Sequence, residues 1–260
     1  MKSWFHVART LLFAFSILFP CRAAFAQTEA RVLIVTTSQS SLSGLPTRTG
    51  FQLADVLHPY YVFLQAGWTV DIASPAGGVA PVDPASVDSS DRWFAFSRED
   101  TVLQQKLSST IPTARISPSA YDVVLFAGGH GALWDFLVDE ASHGLTAKIF
   151  GKRGIVATIG QGAAVLLNTK LSTGEYIYAK RRITCATDEE ERLRGINENL
   201  PYALETALRR GGGIIFKGAA HASNVIVEHR LITGQNSASA RDLAKAVVEK
   251  WSELQQPEKK

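Results

Sequence analysis

The sequence has little cysteine and no lasting excess of charge. Cys21 and Cys185 are the two cysteines among 260 residues, and no cysteine and histidine have the spacing of a zinc site. The formal net charge of +3 comes entirely from residues 1–26, so basic and acidic residues balance in the remainder. This balance disfavours a nucleic-acid-binding protein. With 46% hydrophobic and 20% charged residues, the composition predicts an ordinary folded domain and excludes a disordered or collagen-like chain.

Residues 1–26 have the features of a signal peptide. Lys2 and Arg9 precede an apolar run over residues 11–19, and small residues lead up to Ala26. The apolar run is shorter than the roughly 20 residues that a membrane-spanning helix needs. We therefore expect cleavage after Ala26 and a periplasmic or secreted mature protein without a membrane anchor.

The signal peptide also affects the interpretation of the two cysteines. A lipid anchor on Cys21 is a weaker alternative, because Pro20 and Arg22 flank it poorly. If Cys21 leaves with the signal peptide, Cys185 is the remaining thiol, and an intramolecular disulfide is excluded. A free thiol in an oxidising compartment is usually buried and inert, and the alternative for Cys185 is a catalytic role.

Apolar runs rich in valine and isoleucine alternate with helix-like stretches along residues 27–260. This alternation predicts one α/β domain with a mostly parallel sheet. Strands are predicted at 32–37, 68–73, 121–126, 155–159, 182–185 and 214–217, with a further strand and hairpin over 224–233. Helices are predicted at 50–66, 142–150, 163–168, 201–210 and 239–254. Residues 74–118, rich in proline, aspartate and serine, are predicted to form an insertion or lid with a helical patch near 100–107.

Two glycine-rich turns follow the third and fourth predicted strands, where ligands of open α/β sheets bind. The first, Gly128-Gly129-His130-Gly131, has neither Walker nor dinucleotide-binding spacing. Its backbone N–H groups are able to hold an anion or a carbonyl oxygen, and the alternative is a tight turn that requires glycine. The second turn, at residues 157–163, has the strand-turn-helix pattern of a nucleophile elbow, but Gly160 stands where the reactive side chain would be.

Beyond these turns, the sequence resembles the ThiJ/PfpI superfamily, specifically its glyoxalase III and heat-shock chaperone branch. The segments that carry the resemblance are residues 50–61, 71–78, 81–84, 127–135, 166–168 and 231–236. The resemblance implies a flavodoxin-like, doubly wound sheet sandwiched by helices, like that of class I glutamine amidotransferases. It further implies frequent homodimerisation and an ancestral conversion of methylglyoxal to lactate that needs no glutathione, cofactor or metal.

The resemblance also implies a set of catalytic positions. The family's elbow reads Cys-His-Gly-Pro, and this chain has Gly160 and Gln161 at the positions of the nucleophile and its proton partner. By similarity, Glu191 is the acidic member of the triad, and Asp55, shortened from the usual glutamate, is the acid that hydrogen-bonds the thiol. Each carboxylate is alternatively a helix-start or surface charge, or the two form a pair for acid–base work on a bound water.

The remaining thiol offers a substitute site. Cys185 follows a later predicted strand, where it could approach the same cleft, and His130 could serve as its base. In the relatives a histidine in this turn more often orients loops.

The sequence leaves two alternative functions open. One is an exported protein without cysteine-dependent glyoxalase activity that binds a small molecule or, like a chaperone, unfolded protein. The alternative is an enzyme of altered mechanism acting on a small carbonyl, amide or nitrile-like compound. The missing Cys-His pair favours the first, and the retained glycine-rich loop and both acids favour the second.

Overall fold

The computed structural model describes residues 29–41 and 48–256 of the chain. The predicted signal peptide, its cleavage after Ala26, and Cys21 lie outside the described residues. Within the described part, none of the helices combines the length and apolar character that crossing a bilayer requires.

A seven-stranded sheet runs through the centre of the described chain. The described chain has nine strands, seven of them in this sheet. They are β1 (Arg31–Val35), β2 (Thr69–Ser74), β3 (Ile111–Pro112), β4 (Val123–Phe126), β5 (Ile155–Ile159), β6 (Arg182–Ile183), β7 (Ile214–Ile215), β8 (Val225–Glu228) and β9 (Leu231–Gly234). The order in the sheet is β3-β2-β1-β4-β5-β9-β8, while β6 and β7 form a separate two-stranded sheet. Neighbouring strands are parallel except β8 and β9. This topology places β1 beside both β2 and β4, and at such a reversal the loops diverge and leave a crevice at the carboxyl ends of the strands.

Helices cover both faces of this sheet. They are α1 (Leu53–Gln65), α2 (Arg92–Glu99), α3 (Thr101–Ser108), α4 (Ala132–Val138), α5 (Glu140–Gly151), α6 (Asp188–Leu193), α7 (Leu204–Arg210) and α8 (Ala240–Gln255). Helices α1 and α8 pack on one face, and α4, α5 and a 3₁₀ helix over Gly160–Asn168 pack on the other.

The central strands are apolar along their whole length because both of their faces are buried. In β1, Val32 and Ile34 join the core beneath α1 and α8, whereas Leu33 and Val35 join the opposite core. Alternate side chains of a strand point to opposite faces, so a strand covered on both sides needs a continuous apolar run. The predicted fold class, a mostly parallel flavodoxin-like sheet between helices, is confirmed.

Several predicted elements differ from the observed ones. The helix predicted at 163–168 is a 3₁₀ helix that already begins at Gly160. The strand predicted over 182–185 spans two residues and belongs to the smaller sheet. Helices α2, α4 and α6 were not predicted, because each has eight residues or fewer and presents too few turns for a clear apolar period.

The 74–118 segment, predicted as an insertion or lid, is tied to the main body at several points. It holds α2, α3 and the edge strand β3, which pairs with β2. The ring of Trp93 on α2 stacks on Tyr61 of α1 with ring centroids 4.9 Å apart. The Phe51 N–H donates to the Pro81 carbonyl, 2.8 Å away, which brings Asp83 beside the beginning of α1.

Candidate functional site

The turn after β5 combines a left-handed residue with a tightly packed one. Gly160 has φ +53°, and a Cβ placed there would meet no atom closer than the Gln235 carbonyl oxygen, at 3.8 Å. Gly162, by contrast, lies so close to β4 that a Cβ would come within 2.3 Å of the Phe126 carbonyl oxygen. The backbone therefore has the elbow shape, and Gly160 has room for a Cβ in ordinary contact with Gln235 and Asn236.

Gln161, the next residue, is buried and engaged on both sides. Its Oε1 accepts from the Gly129 N–H at 3.1 Å, and its Nε2 donates to Glu191 Oε1 at 2.5 Å. Glu191 Oε2 in turn lies 2.9 Å from His130 Nε2. The structure thus brings together three of the predicted site residues, Gln161, His130 and Glu191, from three separate parts of the chain.

The contacts of Glu191 keep it ionised. Burial raises the pKa of this carboxyl, but hydrogen bonds from His130 and Gln161 and the positive charge of Arg194 outweigh that effect and hold the pKa below its usual value. Glu191 is 7% exposed, so it is not the solvated surface charge of the alternative interpretation. A buried carboxylate with these donors can fix the orientation of the Gln161 amide and the His130 ring.

Asp55 enters the same region from α1 and is 1% exposed. Its Oδ2 accepts from the Gly128 N–H at 2.9 Å, while its Oδ1 is buried without a hydrogen-bond partner among the described residues. Burial raises the pKa of Asp55 to about 7, against the opposing influence of Ser237, the Gly128 N–H and Arg194. Asp55 is therefore a carboxyl group that changes protonation near neutral pH, with the Ser237 side chain beside it and one oxygen, Oδ1, without a well-aligned hydrogen bond.

In the glycine-rich loop after β4, side chains of the protein already occupy two of the backbone N–H groups. The N–H groups of Gly128 and Gly129 are already occupied by Asp55 and Gln161, so neither is available to an anion. Gly129 has φ +125°, and a Cβ there would lie 2.1 Å from the Gly50 carbonyl oxygen. A Cβ on Gly131 would lie 2.7 Å from Thr37 Oγ1. These two positions require glycine for the conformation and packing of a tight turn.

Cys185 is buried and lines neither cavity of this region. It belongs to the apolar core that also contains Ile183, Leu204 and Leu208, and it has no exposed surface. Burial raises the pKa of its thiol, and the nearby carboxylates of Glu205, Asp188 and Glu190 raise it further. No described hydrogen bond joins its sulfur to His130, whose ring nitrogen faces Glu191 instead. The predicted substitute pair of Cys185 and His130 is therefore not formed.

Glu190 belongs to the site although the sequence analysis assigned it no role. Thr187 and Glu190 form a capping box at the start of α6. Glu190 Oε1 accepts from the Asn236 side chain at 2.7 Å and from the His221 N–H at 2.8 Å. These hydrogen bonds keep the pKa of Glu190 below its usual value despite the opposing effect of burial. The Thr-x-x-Glu spacing of Thr187 and Glu190 is the sequence signal that could have revealed both the helix start and its fixed glutamate.

The described residues contain no group of three or more histidine, cysteine, aspartate or glutamate side chains placed to hold a metal ion. Two neighbouring cavities are present instead. A very small inner cavity is lined by Asp55, Gly160, Gln161, Glu190 and Glu191, and a larger outer cavity of about 580 Å³ is lined by His130 and residues around it. Gln52 and Arg194 line both.

A parallel α/β sheet with an elbow turn after one central strand and acidic groups around that turn defines a protein of the flavodoxin-like class. The chain belongs to the DJ-1/PfpI family, whose sequence model matches residues 45–250.

Individual relatives agree with this assignment. Glyoxalase 3 of Candida albicans is 25% identical over 211 residues, covering 77% of this chain and 89% of that protein. Glutathione-independent glyoxalase HSP31 of Saccharomyces cerevisiae is 25% identical over 210 residues, covering 76% of this chain and 87% of that protein. Among solved structures, Rapid Encystment Protein 24 KDa of Francisella tularensis superposes with a TM-score of 0.82 and 32% identity, covering 85% and 98% of the two chains. The relatives of this chain therefore include glutathione-independent glyoxalases.

Proposed function

We propose that this DJ-1/PfpI family protein binds a small molecule in the cleft beside Gly160 and lacks the cysteine-dependent glyoxalase activity of its relatives. The observation that carries the proposal is the composition of the elbow. Gly160 presents no side chain to the open space beside it, and the following residue, Gln161, is hydrogen-bonded to Glu191 and Gly129.

The size of the expected loss supports the first half of the proposal. The resemblance implies that, in the relatives, the cysteine equivalent to position 160 supplies the thiolate that adds to the aldehyde. The histidine equivalent to position 161 moves protons. Removing either the nucleophile or its base from a serine-protease triad costs about a millionfold in rate. Gln161 cannot replace a histidine as a base because its amide does not titrate near neutrality.

Cys185 does not compensate for the missing thiol. A nucleophilic cysteine reacts as the thiolate, which forms where positive charge or exposure lowers the thiol pKa. Cys185 has the opposite surroundings, with complete burial and carboxylates nearby that raise its pKa.

The second half of the proposal, binding, rests on the intact cleft. The outer cavity is open and about 580 Å³ in volume, within the range that holds small ligands. In the adjoining inner cavity Asp55 Oδ1 has no well-aligned hydrogen bond from the described chain, and an unsatisfied buried polar atom is costly. A bound ligand that donates to this oxygen would recover part of that cost.

Restoring the missing pair tests the proposal directly. Methylglyoxal conversion to lactate is measured for the wild-type protein and for the Gly160→Cys, Gln161→His double variant. We expect no catalysed conversion by the wild type and measurable conversion by the double variant, because position 160 has room for a Cβ and Glu191 can contact an imidazole at 161.

The matched control is Gly160→Ser with Gln161→His, which introduces the same backbone strain and nearly the same volume without a thiol. Its activity should stay at the background rate. Conversion by the wild type that disappears in Cys185→Ser would overturn the proposal.

A second candidate function is acid–base catalysis on a small carbonyl, amide or nitrile-like compound. It is favoured by Asp55, whose burial raises its pKa to about 7, a value suited to proton transfer at neutral pH. Wild-type activity that survives Cys185→Ser but is lost in Asp55→Asn would select this candidate over the first. Export to the periplasm, a holdase-like role and homodimerisation stay predictions.

A further inference from the structure

The inner cavity beside Gly160 and the neighbouring outer cavity differ greatly in size and share two lining residues. The inner one measures about 10 Å³, which is close to the volume that a single water requires, and the outer one about 580 Å³. Gln52 and Arg194 line both cavities. The two cavities therefore meet at these two side chains.

The inner cavity is acidic, and one of its acceptors is vacant. Asp55, Glu190 and Glu191 line it. The oxygens of Glu190 and Glu191 receive hydrogen bonds from neighbouring protein groups. Asp55 Oδ1 has no partner in hydrogen-bonding geometry among the described residues although the side chain is 1% exposed, and the Ser237 hydroxyl, which lines the same cavity, is near enough to lower the pKa of this carboxyl. The group that fits this position is a hydrogen-bond donor, and a positively charged donor also balances the surrounding carboxylates.

The outer cavity has vacant donors. Thr49 is 2% exposed, and its buried Oγ1 has no hydrogen-bond partner in the described chain. Arg48 and Arg194 line the same cavity, and neither forms an ion pair with a described residue. The carboxylate of Asp83 also lies here, but its oxygens already accept from Gln52 Nε2 at 3.1 Å and from the Ala85 N–H at 2.9 Å. Two guanidinium groups and a hydroxyl are a donor set suited to a carboxylate.

We propose that the cleft binds a small amino-carboxylate, with the ligand's ammonium group at Asp55 Oδ1 and its carboxylate at Arg48, Thr49 and Arg194. The vacant acceptor and the vacant donors lie in adjoining cavities, so a zwitterion satisfies both with one molecule. This inference names the ligand class of the binding function proposed above and rests on it.

The test is calorimetric titration of the purified protein with glycine, 3-aminopropanoate, 4-aminobutanoate and 5-aminopentanoate. This series varies the separation between the two charged groups. We expect at least one member to bind, and its analogues that lack either the amine (for example butanoate) or the carboxylate (butylamine) to bind at least about tenfold more weakly, the effect of losing one charged hydrogen bond.

Variants locate the two ends of the ligand. Asp55→Asn should weaken binding of the amino-carboxylate about tenfold and leave the weak binding of the amine-free analogue unchanged. Arg194→Ala and Thr49→Val should weaken both. Arg192→Ala removes an exposed arginine that lines neither cavity, and it should change nothing.

Equal affinity for the amine-free analogue, or no binding by any member of the series, would overturn the inference. Neither result depends on the methylglyoxal assay of the Gly160→Cys, Gln161→His variant. The titration can therefore reject the amino-carboxylate as the ligand while the assay still supports the loss of thiol chemistry. Unchanged circular dichroism of each variant separates a lost contact from a lost fold.

Discussion

The turn at Gly160 and the segment around Cys185 differ in the two properties that thiol chemistry requires. The turn has open space at the carboxyl end of a central strand but no sulfur. The segment has a sulfur but no exposure, and its neighbouring carboxylates disfavour the thiolate. A protein can therefore retain a cysteine and the architecture of an elbow without holding a nucleophile, because reactivity depends on access and charge together.

The largest expected effect concerns access to Cys185. In the folded protein, alkylation of Cys185 by iodoacetamide at pH 8 should be at least about a thousandfold slower than in guanidinium chloride, because the thiol reacts only when the core opens. Mass spectrometry of the peptide containing Cys185 measures the rate separately from Cys21.

Labelling of Cys185 at a rate near that of the unfolded chain would contradict the contrast drawn between the Cys185 segment and the turn at Gly160. It would mean that the segment opens readily and that the sulfur reaches solvent. The Gly160→Cys variant, labelled in the same experiment, adds a thiol that faces the inner cavity, and this thiol should react faster than Cys185, which lines neither cavity.

The next effect concerns Asp55, at the side of the cleft. The folded state raises the pKa of Asp55 from 3.8 to about 7, mainly by burial. Between these two values the folded protein binds a proton that the unfolded chain does not, so the Asp55 contribution to stability is present below about pH 4 and is lost as pH rises through 7. At about 1.4 kcal/mol per unit, the full change is on the order of a few kcal/mol.

Asp55→Asn removes this titration while keeping an acceptor for the Gly128 N–H. The stability of the variant relative to the wild type should therefore increase between pH 4.5 and 8, as measured by urea unfolding. Asp71→Asn is the matched control: although burial raises the pKa of Asp71, hydrogen bonds from Lys106 and Arg31 lower it overall, so Asp71 is ionised in both states above about pH 4 and the relative stability of this variant should stay constant between pH 4.5 and 8. Parallel trends for the two variants would show that Asp55 is not held in its neutral form by burial.

How far the sequence predicts this molecule depends on the range of the contacts involved. The strand at 155–159 was predicted with its observed limits, because a fully buried parallel strand leaves an uninterrupted apolar run. The candidate residues Gln161, His130 and Glu191 were proposed individually from loop position and family resemblance, and the structure joins them by hydrogen bonds.

Other features of the site had no local signal. Arg48 and Arg194 line one cavity although they are far apart in the chain. Asp55 on α1 accepts a hydrogen bond from the Gly128 N–H, and Gln161 in the elbow accepts one from the Gly129 N–H. Both contacts depend on tertiary packing. Hydrogen-bond partners that come from distant segments leave no periodic pattern, so the sequence left open whether this loop binds an anion or is a tight turn, and in the fold two of its N–H donors are already occupied.

The smallest effect separates the two glycines of the elbow. Gly162→Ala would place a Cβ 2.3 Å from the Phe126 carbonyl oxygen and 2.9 Å from that of Ala127, so β4 or the turn must move. Such overpacking costs about 3 kcal/mol. Gly160→Ala meets only ordinary contacts, and its cost should be the roughly 1 kcal/mol of a left-handed alanine, because φ is +53°. Urea unfolding of both variants gives the difference. Equal losses would mean that the space beside Gly160 is filled in solution, and the elbow could then not accommodate a restored cysteine.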